Sequence, residues 1–202
     1  MKKLFKKLFI LLAIIIGLYP IIYFLIDRKF GLLQTKSDEL LSNFCWNVAF
    51  YSHIIPGGIA LLVGWIQFIP KLRSKKIKLH RNIGKLYVAS VLISSLSGIY
   101  IGVFATGGIW SAIGFISLAL IWFTSTLLAY LTIKKGKINE HHKMMIYSYA
   151  ACSAAITLRI WLPLLVLTLK DFTIAYRITA WVCWIPNIIF GYFLIKKLNR
   201  NI

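Results

Sequence analysis

The stretch IWSAIGFISLALIWFTSTLLAYLTI, from Ile109 to Ile133, carries no charged residue. As a helix rising 1.5 Å per residue it is roughly 36 Å long, enough to cross the ~30 Å hydrocarbon core of a bilayer. Working outward, the flanks repeat the pattern. Apolar runs occupy Leu8–Ile26, Val48–Ile69, Ile83–Ala105, Met144–Leu169 and Ile174–Ile195, giving six expected spans with Ile109–Ile133 as the fourth. None of the acidic residues Asp27, Asp38, Glu39, Glu140 and Asp171 falls inside a run. The expected fold is an all-α polytopic membrane protein, with six transmembrane helices in one bundle and residues 1–202 as a single membrane domain.

Composition agrees. The 202 residues are 59% apolar and 14% charged, whereas a soluble domain is about 45–50% apolar and about 25% charged. Disorder, a disulfide scaffold and a soluble enzyme are excluded on these grounds. The first run follows Met1-Lys2-Lys3, as in a signal peptide, but it reaches Ile26 and ends in Asp27-Arg28-Lys29 without a small-residue cleavage site. It is expected to stay as an anchor helix.

The formal charge of +19 would ordinarily suggest a nucleic-acid partner. Its distribution points elsewhere. With the N-terminus inside, the N-terminal tail, the Lys71–Lys85 and Lys134–Lys143 connections and the C-terminal tail carry +4, +7, +3 and +3. The opposite segments, Asp27–Cys45, Thr106–Gly108 and Lys170–Asp171, are each neutral. Positive connections are held on the cytoplasmic side. Both termini are therefore expected inside, in the cell membrane, with the lipid bilayer as partner and no nucleic acid. Cys45, Cys152 and Cys183 form no CxxC pair and are odd in number, so they read as small packing residues.

Polar groups are costly in lipid and should face the bundle interior. Steps of three and four give one face to each of four spans: His53, Gly57, Ala60, Gly64 and Gln67 in the second; His80, Gly84, Tyr87, Val91, Ser94, Gly98 and Gly102 in the third. The fifth contributes His141, Met145, Ser148, Cys152, Ala155 and Arg159; the sixth Tyr176, Ala180, Cys183, Asn187 and Gly191. The first and fourth lack such a stripe and are expected at the periphery. Two polar levels result. His80, Arg81, Glu140, His141 and His142 lie at the inner ends, and His53 and Arg159, with Arg177, lie further out.

The segment His80-Arg81-Asn82-Ile83-Gly84-Lys85-Leu86-Tyr87 fits an H-R-x-x-G-x-x-Y pattern. With Met145-Ile146-Tyr147-Ser148-Tyr149-Ala150, the run Ala154–Arg159 and Pro163, it resembles an uncharacterised bacterial multi-span membrane protein family, the domain of unknown function DUF2306. The resemblance runs from about His53 to Pro163. That family's H-x-x-W-M-I-R-S-Y-A pattern places its histidine at His141, while its tryptophan and arginine are Met144 and Tyr147 here. The resemblance implies an architecture and the short list His53, His80, His141 and Arg159, but no reaction.

Two functions of different class follow from the residues. The first is a redox protein holding haem b between His80 and His141, with His53 as the further candidate, because imidazole is the usual axial ligand. Its partner would be a membrane redox protein or a quinone. The second is a carrier or binder of an ion or small molecule, along a polar file of His53, Gln67, Asn187 and Arg159. A metal-dependent hydrolase using Glu140, His141, His142 and His80 is a weaker third, since zinc accepts these ligands but HExxH is absent.

Overall fold

The computed structural model describes residues 2–26 and 29–199. The end of the first run at Asp27-Arg28 and the tail charge Arg200 lie outside the described residues. Among the described residues six helices are long and apolar enough to cross a membrane: Lys3–Leu25, Phe44–Phe68, Ile77–Gly102, Ile109–Lys134, Ile138–Leu169 and Phe172–Asn199, called spans 1 to 6 below. Spans 3 and 5 begin six residues before their apolar runs. A helix satisfies its own backbone groups, so the polar turns at His80-Arg81 and Glu140-His141-His142 continue it beyond the apolar part.

Two compact units divide the chain, one up to Ser97 and one from Gly98 onward. In the first, span 1 crosses span 2 at two glycines. A Cβ on Gly58 would stand 2.5 Å from the Gly17 carbonyl oxygen, and one on Gly17 would stand 2.6 Å from Leu62 Cγ. Only glycine permits that approach, the usual means of packing helices in lipid. Asn43 caps span 2 by accepting from the Trp46 N–H at 3.0 Å, and Trp46 stacks on Phe50 at 5.2 Å. The expected inner face of span 3 is buried, with Tyr87, Val91 and Ser94 fully enclosed.

In the second unit span 4 is the centre, which corrects its expected peripheral place. It packs on the first halves of spans 5 and 6, and it has the largest buried share of the six spans. Its buried residues are Ser111, Ala112, Gly114, Ala119, Trp122, Ser125, Thr126 and Ala129. Four of the eight are alanine or glycine and the three hydroxyl residues form no stripe at regular helical steps, so a search for polar stripes gives them little weight although small side chains let backbones approach. Gly114 shows the result: a Cβ there would lie 2.8 Å from the Ala180 carbonyl oxygen of span 6.

Spans 5 and 6 are each interrupted near their midpoints. Span 5 consists of Ile138–Cys152 and Ala154–Leu169, and span 6 of Phe172–Val182 and Ile185–Asn199. Pro186 explains the second break, because it has no N–H to offer the Val182 carbonyl. No proline or glycine stands at the break beside Ser153.

Candidate functional site

The histidines are held in two different ways. His53 lies in span 2 opposite Ser94 of span 3. Its Nδ1 is 2.8 Å from the Ser94 carbonyl oxygen, and the Ser94 hydroxyl donates back to the His53 carbonyl at 2.7 Å. A carbonyl only accepts, so Nδ1 carries the hydrogen and Nε2 keeps its lone pair. His141 of span 5 is arranged alike. Its Nδ1 donates to the Ala129 carbonyl of span 4 at 2.8 Å.

His80 takes the opposite tautomer. Gln67, buried where span 2 ends in a 3-10 turn, sets its amide nitrogen 2.9 Å from His80 Nδ1 and 3.2 Å from the His80 carbonyl oxygen. The amide oxygen accepts from the Gly84 N–H at 3.3 Å. The two main-chain groups assign that orientation, since one can only accept and the other only donate. His80 Nδ1 is then an acceptor and its hydrogen sits on Nε2.

The remaining candidates are bound locally. Glu140 is exposed and pairs with Lys143 at 3.0 Å, while its neighbour His141 faces Ala129. Among the described residues no group of three or more His, Cys, Asp or Glu is placed to hold a metal ion. Arg159 curls onto its own helix, with Nη1 donating to the Ala155 carbonyl at 2.9 Å. Asn187 ties the two interrupted spans: its Nδ2 reaches Ser153 Oγ at 3.2 Å, Thr157 Oγ1 at 3.1 Å and the Cys183 carbonyl at 3.0 Å. Thr157 in turn donates to the same Cys183 carbonyl. Gln67 and Asn187 thus each serve a neighbouring helix.

Sequence reasoning found the histidines and Asn187 but not what holds them. The Ala129 carbonyl has no signature in a sequence. Ser153 and Thr157 were passed over because serine and threonine in apolar helices commonly bond their own turn. Pro186 was the available signal for the interruption in span 6.

A family model described as "Predicted membrane protein (DUF2306)" matches residues 50–195. No curated protein and no solved structure matches the chain.

Proposed function

Because the chain belongs to the DUF2306 family of predicted membrane proteins, whose description names no reaction, we propose a function from the histidines: a membrane-embedded redox protein holding haem b. The observation that carries this reading is the His141 bond to the Ala129 carbonyl at 2.8 Å. Metal-ligating histidines hold their other ring N–H on a carbonyl or carboxylate, which fixes the tautomer and turns the remaining lone pair toward the metal. His141 has that arrangement, and so has His53. His80 does not fit as it stands. For His80 to ligate through Nε2, Gln67 would have to turn its amide so that Nδ1 carried the hydrogen. The haem would supply one-electron chemistry, with a quinone or membrane redox protein as partner. The neutral and positive connections support a cell-membrane location with both termini inside; reporter fusions after Lys137 and Asp171 should read cytoplasm and exterior.

The test is an absorption spectrum of the detergent-purified protein, expressed with added haem precursor. A Soret band that shifts on reduction, and is lost or altered in His141→Ala, is expected. A colourless protein, or a band unchanged in His141→Ala, overturns the reading. The alternative, a carrier of an ion or small molecule, draws on one observation: both broken spans are joined by Asn187 near their midpoints. Interrupted helices are where many transporters place their substrate site.

A further inference from the structure

Between spans 3 and 4 the chain turns through Gly107 and Gly108, with φ of +92° and +75°. Such values suit glycine, which has no Cβ to crowd the backbone. Gly108 then stands at the N-terminus of span 4, and no side chain caps it. Ser111 and Ala112 give their N–H groups to the Gly108 carbonyl, which leaves those of Ile109 and Trp110 directed out of the helix end. Gly108, Ile109 and Trp110 are all exposed, and the space a Gly108 side chain would take is open.

A helix end alone selects nothing, but two further groups converge on this one. Arg177 of span 6 lays its guanidinium on the turn by donating from Nε to the Gly107 carbonyl at 2.7 Å. Among the described residues that is the one hydrogen bond of this exposed cation, and neither Nη group has a partner there. Behind the turn, Ser111 is fully buried and its Oγ has no hydrogen-bond partner among the described residues. It faces Gly107, 2.6 Å from where a Cβ would stand, and Arg177 Cγ lies 3.0 Å from the same point. A buried polar group without a partner is costly, and here its unused donor sits beside a cation and a helix N-terminus. Donors and positive charge are gathered without an acceptor.

We propose that this turn is a seat for the phosphate of a membrane phospholipid. Anions favour helix N-termini, and a guanidinium presents a planar fork that matches two phosphate oxygens. The surroundings select a lipid over a free anion. Ile109 is 67% exposed, Trp110 63% and Val103 63%, and tryptophan beside apolar residues at a span end marks the bilayer interface, at headgroup level.

Three probes added to the full-length protein in detergent separate the outcomes: short-chain phosphatidylglycerol, a monoacylglycerol of equal chain length, and inorganic phosphate. Retained lipid is counted by native mass spectrometry and affinity is read from the melting shift. Phosphatidylglycerol should be retained and stabilising, and the monoacylglycerol should not. Arg177→Gln should weaken binding at least about tenfold, the equivalent of losing about 1.4 kcal/mol of charge-assisted bonding. Arg177→Lys should fall between. Ser111→Ala removes a hydroxyl that bonds nothing in the chain, so it should fold normally yet bind several-fold more weakly. Lys85→Gln should bind as the parent does. Equal binding by the parent, Arg177→Gln and Ser111→Ala overturns the seat. Equal potency of inorganic phosphate and phosphatidylglycerol overturns the lipid as its occupant.

Discussion

The helix pair of spans 2 and 3 and the pair of spans 4 and 5 solve one problem unequally. Each fixes a histidine by giving its Nδ1 hydrogen to a carbonyl on the neighbouring helix, and both distances are 2.8 Å. In the first pair Ser94 answers with its hydroxyl, donating to the His53 carbonyl. That bond is reciprocal, and it occupies a main-chain carbonyl as well as the ring. In the second pair the cross-helix hydroxyl bond is separate: Thr126 and Ser148 meet at 2.6 Å, about two turns from His141 along span 5 and about one turn from Ala129 along span 4. The difference assigns different work to the two rings. His53 is part of what joins its helices, whereas His141 is positioned by a joint that Thr126 and Ser148 make elsewhere.

The most severe way to break the comparison is to disturb each pair through the helix packed on its other side, span 1 on span 2 and span 6 on span 4. Gly58→Val and Gly114→Val each force atoms against a backbone carbonyl, at 2.5 and 2.8 Å before any relaxation. Overpacking commonly costs 1–3 kcal/mol, and contact with backbone puts these at the upper end. Each variant should lose most of its monodisperse peak in fluorescence-detected size exclusion. Survival of either peak would mean that span 1 on span 2, or span 6 on span 4, is not held by close backbone approach.

A smaller effect sharpens the contrast between the rings. His53→Ala removes the ring's cross-helix contacts with the Ser94 carbonyl and hydroxyl, so thermal denaturation should show a loss of about 1–2 kcal/mol. His141→Ala should cost about half that, while abolishing or altering any haem band. Equal stability losses in the two variants would erase the distinction.

Smallest is Thr126→Val, which keeps shape and deletes the bond to Ser148. Hydrogen bonds between helices in membranes average about 0.6 kcal/mol, and a loss of that order is expected in the same denaturation series. A larger loss than in His53→Ala would move the main joint of the molecule to the second pair.

The faces of spans 2, 3, 5 and 6 were legible in the sequence because polar and small residues recur there at helical spacing. Ser94, Ser148 and Cys183 are buried as that spacing requires. Span 4 was not legible. Its contact residues are mostly alanine, glycine and serine scattered among large apolar ones, and in lipid both inward and outward faces are apolar, so periodicity loses contrast. The site was legible as residue types and not as tautomers. Whether a histidine offers Nε2 depends on which neighbour meets Nδ1, and a carbonyl of Ala129 and an amide of Gln67 give opposite answers. The turn at Gly107 and Gly108 was visible as a short neutral connection; that Arg177, seventy residues later, rests on it was not.

The paired interruptions have a consequence for how the chain is made. The halves of spans 5 and 6 are 15, 16, 11 and 15 residues long, each short of the roughly 20 that cross a bilayer. Span 6 therefore enters the membrane with an amide at Asn187 and a proline-freed carbonyl near its middle, groups that hydrocarbon cannot satisfy. Ser153 and Thr157 of span 5, already synthesised, are the acceptors that the amide finds beyond the Cys183 carbonyl of its own turn. Insertion of the last span is thus coupled to the one before it, and the order of translation supplies the partner before the need for it arises.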